Sequence, residues 1–119
     1  MNKVAEQSKT RKQIQDPDYE LKNISEEVVK DCARVCGLTV AQVMSKSRKA
    51  EFVEARWLAY AILYPMGYGL ISIGRIFNRD HGTVLNGLKK MQDMKETKET
   101  KNRHIDLMLK ELRNKYGNI

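Results

Sequence analysis

The stretch LISIGRIFNRDHGTVLNGLKKM, residues 70–91, decides the fold of this 119-residue chain. Apolar residues recur at helical spacing as far as Phe77, which predicts a short helix over 70–77 with one face to bury. Asn78 tolerates the left-handed conformation that lets the chain leave this helix at a steep angle. Asp80 is suited to cap a second helix, because its carboxylate can accept hydrogen bonds from the free backbone N–H groups at the positive end of the helix dipole. The stretch therefore predicts two helices joined by a tight turn.

The second predicted helix has two unlike faces on a helical wheel. The apolar face, which should be buried, is formed by Val84, Leu85, Leu88 and Met91. The opposite face, which is small, hydrogen-bonding and basic, is formed by Gly82, Thr83, Asn86, Lys89 and Lys90. A helix that enters the major groove of DNA needs slim residues near its start, polar tips for base edges and cations for phosphates. The pattern fits a DNA-binding helix-turn-helix, but periodicity alone is equally typical of an ordinary amphipathic surface helix.

The segment RDHGTVL, residues 79–85, follows Ile73-Gly74 and Phe77 at a fixed spacing. This arrangement resembles the signature of the C-terminal DNA-binding domain of the bacterial replication initiator protein DnaA, and the resemblance covers about 24–91. It implies an all-α fold, a small Trp-repressor-like helical bundle that contains a helix-turn-helix. It also implies binding to short asymmetric sites in a replication origin, with bases read in the major groove and an arginine from a basic loop in the minor groove.

The resemblance assigns DNA contacts to particular positions of this chain. Arg48 takes the place of the minor-groove arginine, and Arg56 takes that of an arginine that contacts a base or a phosphate. Asp80, His81 and Thr83 match the head of the recognition helix. Together with the neighbouring polar and basic side chains, the predicted DNA-binding residues are Lys46, Arg48, Lys49, Arg56, Arg79, Asp80, His81, Gly82, Thr83, Asn86, Lys89 and Lys90.

Two positions depart from the family pattern. Gly82 stands where the family usually has a threonine, and Trp57 stands where a glutamine is common. These changes remove polar contacts, so the resemblance implies DNA binding with an altered target sequence. Trp57 and Tyr60 are expected to be core or edge aromatics rather than stacking platforms for single-stranded bases. The position of His81 is open, because the wheel places it toward the core whereas the resemblance places it on DNA.

The charge of the chain is concentrated around the predicted motif. The net charge is +7 and the pI is about 9.5, which favours an anionic partner without choosing between nucleic acid, a membrane surface and an acidic protein. Residues 46–95 hold nine Lys or Arg against four Asp or Glu, so most of the excess lies there. No apolar run approaches the roughly 20 residues of a membrane span, and the first residues lack the apolar core of a signal peptide. We therefore expect a cytoplasmic protein without membrane contact.

The sequence offers no chemistry beyond binding. Cys32 and Cys36 lie four residues apart on a predicted helix, so we interpret them as small core residues rather than zinc ligands or a disulfide. The chain has no phosphate-binding loop of the Gly-x-x-x-x-Gly-Lys-Ser/Thr type, and no nucleophile with a base or paired carboxylates. We predict that it is not an enzyme and that it needs no metal or cofactor.

Three segments are predicted along the chain: a flexible arm over 1–23, the DNA-binding domain over 24–95, and a linker with an amphipathic helix over 96–119. Ser25 is expected to cap the first helix, which ends at Gly37, and Thr39 to cap a short second helix. A long helix over about 50–64 is apolar nearly all round, so it should be the most buried element. Gly74 lies inside a helix and predicts a close helix crossing.

The C-terminal part leaves several readings open. The charged segment 92–101 either extends the recognition helix or forms a linker, and 102–116 predicts an amphipathic helix. That helix either packs back on the domain or pairs with a second copy of the chain. Our main hypothesis is sequence-specific binding of double-stranded DNA by a stand-alone domain that regulates replication initiation or transcription, as a small regulator of a phage or mobile element would. The alternatives are a protein-interaction module that binds replication machinery through the C-terminal helix, and nonspecific nucleic-acid packaging.

Overall fold

The computed structural model describes residues 19–96 and 100–116, and in these residues every regular element is helical. In chain order the helices are α1 (Tyr19–Cys36), α2 (Val40–Met44), α3 (Ala50–Leu63), α4 (Leu70–Phe77), α5 (His81–Glu96) and α6 (Thr100–Tyr116). The prediction of a small all-α bundle that contains a helix-turn-helix and an added C-terminal helix is confirmed. Most of the predicted N-terminal arm, residues 1–18, lies outside the described residues.

Helix α3 is the centre of the bundle, as its apolar sequence predicted. Leu58 and Leu63 are fully buried, and the helix packs against α1, α2, α5 and α6. The buried ring of Tyr60 meets Phe77 of α4 edge to face, with the ring centroids 5.1 Å apart. Such a contact holds α4 against α3 in one orientation.

The start of α1 differs from the prediction. The helix begins at Tyr19, so Ser25 is an interior residue and not its N-cap. Ser25 is only 2% exposed, and it hydrogen-bonds with Tyr68, which precedes α4. The expectation was wrong because the Ser25 hydroxyl is used in a tertiary contact. The end of the helix was predicted well, since Gly37 has a φ of 69°.

Helix α2 begins and ends as expected. The Thr39 hydroxyl accepts from the Gln42 N–H at 3.1 Å, and the Gln42 side chain accepts from the Thr39 N–H at 2.8 Å. This reciprocal capping box satisfies two backbone donors of a helix that is only five residues long.

The turn between α4 and α5 has the geometry that the sequence predicted. Asn78 is left-handed, with φ 55° and ψ 50°, and the Asp80 carboxylate accepts from the Thr83 N–H at 2.9 Å. This backbone hydrogen bond is the main reason that the pKa of Asp80 lies below its usual value. Gly74 is required by the turn rather than by a helix crossing, because a Cβ there would lie 2.4 Å from the Arg79 carbonyl oxygen.

Helix α5 continues to Glu96, so the first part of the charged segment extends it. Helix α6 packs back on the same domain and buries Ile105, Leu109 and Leu112. At its end, Lys115 donates to the Asp31 carboxylate of α1 at 2.7 Å, and the Tyr116 hydroxyl donates to the same oxygen. The last helix is therefore fastened to the first.

The cysteines lie in this bundle as core residues. Cys32 is fully buried and Cys36 half-buried, both are free thiols, and burial raises the pKa of each. Within 19–96 and 100–116, His, Cys, Asp and Glu side chains form no group of three that could hold a metal ion. None of the helices in this part of the chain is long and apolar enough to cross a membrane.

Candidate DNA interface

The basic loop, defined here as Ser45–Lys49, is shaped by its two serines. The Ser45 hydroxyl donates to the Gln42 carbonyl at 2.7 Å and accepts from the Ser47 N–H at 3.3 Å. The Ser47 hydroxyl then accepts from the Lys49 N–H at 3.2 Å. Side chains that bond to the backbone two residues on hold a short loop in one conformation. The basic side chains of the loop are consequently left to point into solvent.

Two arginine side chains hydrogen-bond to the backbone at the start of the basic loop. Arg56 of α3 donates through Nη2 to the Ser45 carbonyl at 2.6 Å and through Nε to the Val43 carbonyl at 2.7 Å. Arg79 of the turn donates through Nη2 to the same Ser45 carbonyl at 2.8 Å, and through Nη1 to the Phe77 carbonyl at 2.8 Å. The shared acceptor ties the loop, the long helix and the helix-turn-helix together at one point.

The charge of this pair is not neutralised locally. Neither Arg56 nor Arg79 forms an ion pair with a carboxylate in the part of the chain that the structure describes. Burial lowers the pKa of Arg56, and the nearby positive charge of Arg79 lowers it further. An arginine remains charged despite such a shift. The pair therefore gives this side of the molecule a positive potential that an anionic ligand would relieve.

A cleft of about 420 Å³ opens between the basic loop and the head of α5. It is lined by residues of the loop, α3 and the helix-turn-helix: Lys46, Ser47, Arg48, Val53, Arg56, Trp57, Tyr60, Asn78, Arg79 and Thr83. Five of the predicted DNA-binding residues, which lie far apart in the sequence, thus border one cleft: Lys46, Arg48, Arg56, Arg79 and Thr83. Lys49 stays exposed beside it, near Glu51 and over the Phe52 ring.

The head of α5 presents the other predicted residues to solvent. The exposed residues beyond the cleft wall are Asp80, His81, Gly82, Asn86 and Lys90. His81 is exposed in the first turn, so the core position that the helical wheel suggested is wrong. The wheel was wrong for Leu85 as well, which is 41% exposed instead of buried.

Lys89 is exposed but does not border the cleft. It lines a second groove on the opposite flank of α5, together with Leu85 and with Arg113 of α6. The structure therefore divides the two adjacent lysines: Lys90 follows Thr83 and Asn86 around the helix, whereas Lys89 does not. Its predicted contact with a phosphate stays a prediction.

Arg56 is the predicted contact residue whose surroundings differ most from expectation. Only 5% of the residue is exposed, and two of its three side-chain nitrogens are bound to backbone carbonyls, one of Val43 in α2 and one of Ser45 in the basic loop. Its position is that of a support for the loop. The predicted base or phosphate contact is not tested by this arrangement, and it would have to use the edge of the guanidinium that faces the cleft.

Two features of the interface were not recognised from the sequence. A Cβ on Gly87 would lie 2.6 Å from Trp57 Cδ1 and 2.8 Å from Tyr60 Cδ2, so this glycine lets α5 approach α3. Trp57 is half-buried in the floor of the cleft. A glycine inside a helix was a signal for a close approach, and the sequence carries one at Gly87 as well as at Gly74.

Two helices joined through a left-handed residue and a capping aspartate, beside a positively charged cleft, define the class of helix-turn-helix proteins. A family model described as the bacterial dnaA protein helix-turn-helix matches residues 25–91, which is more than half of the chain. The chain belongs to this family of DNA-binding domains, which is not a catalytic family. The predicted resemblance is thereby confirmed.

A curated relative agrees with the family match. The chain is 30% identical over 78 residues to the chromosomal replication initiator protein DnaA of Pseudothermotoga lettingae. The match covers 64% of this chain and 18% of that protein. The chain therefore spans about a fifth of the length of the relative, and the match supports the DNA-binding domain and double-stranded DNA as a partner.

Proposed function

We propose that this chain binds short double-stranded DNA sites sequence-specifically and thereby regulates replication initiation or transcription. In this proposal the head of α5 enters the major groove, where Thr83, Asn86 and His81 read bases. Arg48 reaches from the basic loop into the minor groove, and Lys46, Lys49 and Lys90 bind phosphates. These roles follow the general division of labour in which phosphate contacts fix the position of the protein and base contacts select the sequence.

The observation that carries the proposal is the fixed distance between the two reading elements. A flexible basic loop would bind any phosphate within reach, and its arginine would lose much side-chain and backbone freedom on binding. Here the Ser45 carbonyl is held by Arg56 and Arg79 together, so the basic loop keeps one position relative to α5. A rigid spacing favours a reader that engages two grooves of one duplex at once.

The alternative of a protein-interaction module is less well supported by the packing of α6. Its apolar stripe, which would have been the docking surface, is buried through Ile105, Leu109 and Leu112. Leu107 is its large exposed apolar residue, with 59% of the residue exposed. A single exposed leucine is ordinary on a protein surface and does not indicate an interface.

The proposal is tested by selecting bound sequences from a random duplex pool at about 0.15 M salt, where nonspecific binding to phosphates is weakened. We expect one short asymmetric motif to be enriched. Thr83→Ala should relax the selection at one or two positions, because a base contact is worth about 1–3 kcal/mol of discrimination. Lys30→Ala is the matched control, since it removes an exposed charge from α1, away from the interface.

Arg48→Ala separates DNA recognition from protein docking. It should reduce affinity and lower the slope of log affinity against log salt concentration by about 1. If no motif is enriched and all binding disappears as salt rises, the chain is a nonspecific binder and the proposal fails. If both variants leave DNA binding unchanged, the assigned interface is wrong.

A further inference from the structure

We infer that the cleft between the basic loop and α5 receives one sugar–phosphate strand of the duplex, and that the Trp57 indole is its binding surface. This inference rests on the proposed function. On a double helix the two grooves are separated by a sugar–phosphate strand, so two elements that read neighbouring grooves must straddle such a strand. The cleft of about 420 Å³ lies between the two proposed reading elements.

The chemistry of the cleft suits a phosphate. Its walls hold Lys46, Arg48 and Arg79, and no Asp or Glu is among the residues that line it. The guanidinium of Arg56 adds further positive charge, and neither Arg56 nor Arg79 has a carboxylate partner within 19–96 and 100–116. The phosphates of a strand in this position would contact several cationic side chains at once, and the counterions condensed on the DNA would be released.

Trp57 adds a different kind of contact. Its indole lies against the backbone of Gly87, since a Cβ there would be 2.6 Å from Trp57 Cδ1. Its Nε1–H donates to no atom of the residues that the structure describes, and this nitrogen is not buried. A half-buried indole with a free N–H can pack its apolar face on a deoxyribose while the N–H donates to a phosphate oxygen.

Two features place the indole where a strand passes. Gly87 removes the side chain that would push Trp57 away from α5, so the ring is pressed against the recognition helix. Thr83, which lies one turn closer to the head of the same helix, lines the same cleft. A strand seated on the indole would therefore run beside the proposed base-reading residues and fix how far α5 enters the groove.

The contact predicts a particular pattern of effects. Sugar and phosphate are the same at every position, so loss of the indole should weaken all sequences equally. Trp57 is neutral and neutralises no phosphate, so the salt dependence of binding should not change. This separates Trp57 from Arg48, whose removal changes the salt dependence, and from Thr83, whose removal changes the sequence preference.

Trp57→Phe is the main test, because phenylalanine keeps an aromatic ring against Gly87 and loses the N–H. We expect about tenfold weaker binding to the selected site and to a scrambled duplex alike, the loss of one hydrogen bond to a charged acceptor. The slope against salt concentration should equal that of the unmodified chain. Tyr64→Phe is the matched control, because Tyr64 is an exposed aromatic of the same region, 50% exposed, and lines a different groove. Thermal melting of each variant checks that the fold is retained.

Phosphate contact is tested directly with duplexes in which one phosphate at a time is replaced by a neutral methylphosphonate. At one position the replacement should weaken the unmodified chain and have no further effect on Trp57→Phe, which is the signature of a direct coupling. If the two losses add at every position, Trp57 does not contact a phosphate and the inference is overturned.

Fluorescence provides an independent readout, because Trp57 is the only tryptophan of the chain. Its emission should change as DNA is added. The midpoint of this change should equal the midpoint of the binding curve measured by the anisotropy of a labelled duplex. Emission that is unchanged at saturation, or a Trp57→Phe affinity equal to that of the unmodified chain, would overturn the inference while a selected motif would still support the proposed function. Failure to enrich any motif would instead remove the proposed function, on which the inference depends.

Discussion

Replacing Gly74 with alanine should loosen the helix-turn-helix, although alanine is the better helix former. The position lies inside α4, where the exchange alone would stabilise a helix by about 1 kcal/mol. The added Cβ would, however, lie 2.4 Å from the Arg79 carbonyl oxygen, at least 0.6 Å inside the closest approach that real Cβ atoms show. The obstacle is backbone, so it cannot be relieved by a side-chain rotation.

The size of the destabilisation follows from the hydrogen bonds of the turn that the added Cβ would weaken. Moving the Arg79 backbone stretches the hydrogen bond from its N–H to the Gly74 carbonyl, in which nitrogen and oxygen are 2.7 Å apart. It also disturbs the hydrogen bonds from the Arg79 side chain to the carbonyls of Phe77 and Ser45. Overpacking of a tight site costs about 1–3 kcal/mol, and each weakened hydrogen bond costs about 1 kcal/mol. With two of these three hydrogen bonds weakened, and with the gain in helix propensity subtracted, we expect a net loss of about 2–4 kcal/mol in the free energy of unfolding.

Thermal unfolding followed by circular dichroism measures this effect. A loss of 2 kcal/mol in a domain of this size corresponds to a decrease in Tm of roughly 8–16 °C. Gly69→Ala is the control, because a Cβ at Gly69 meets nothing within 4 Å, and it should change the free energy by less than about 1 kcal/mol. A Gly74→Ala variant with an unchanged Tm would show that the turn moves freely and would refute the reasoning.

Two further predictions concern the contacts that hold the two sides of the molecule. Asp31→Asn should destabilise the chain by about 1–2 kcal/mol at pH 7, because Asp31 accepts from Lys115 and Tyr116. Burial raises the pKa of Asp31, but these hydrogen bonds outweigh it and the net pKa is lowered, so the stabilisation is present at neutral pH and is lost as the pH falls below about 4. Denaturant unfolding at pH 7 and pH 3 measures the difference, which should be smaller at pH 3, and a difference as large at pH 3 as at pH 7 would contradict the assignment. Arg79→Lys keeps the charge but loses the forked donors, so it should speed trypsin cleavage in the basic loop severalfold and weaken DNA binding; protection equal to that of the unmodified chain would show that Arg79 does not hold the loop.

The helix-turn-helix was predictable because its determinants are local. Asn78 and Asp80 favour a left-handed exit and an N-cap through their own side chains and backbones, and the structure contains both. Thr39 likewise caps α2 with Gln42, three residues away. In each case the partners lie within one helical turn, so the sequence alone carries the whole interaction.

The contacts that were missed all depend on residues far apart in the chain. Ser25 looked like a helix cap, yet it is buried and bonds to Tyr68. Arg56 and Arg79 were predicted to contact DNA, which stays a prediction, and the sequence did not show that both also bind the Ser45 carbonyl, 11 and 34 residues away. The identity of an arginine predicts that it will bind oxygen atoms, but only the fold shows which backbone oxygens of the protein lie within its reach.

The helical wheel failed for a different reason. It assumes that one continuous stripe of a helix is covered, but α5 packs through Val84 and Met91 and through the bare backbone of Gly87. Helix α5 comes closest to α3 at Gly87, so its buried face is centred nearer to Gly87 than the wheel predicts. Leu85 lies on the other flank of α5 and stays exposed. A glycine does not count as apolar on a helical wheel, so the wheel could not predict the contact between Gly87 and Trp57.

The contacts between α6 and α1 determine where a stable fragment of this protein can end. The family match ends at residue 91, inside α5, whereas Leu109 and Leu112 beyond it are almost completely buried against the rest of the bundle. A fragment that stopped at the family boundary would uncover that apolar surface and leave Asp31 without Lys115 and Tyr116. The segment that matches the family, residues 25–91, is therefore smaller than the packed core of the structure, which includes α6.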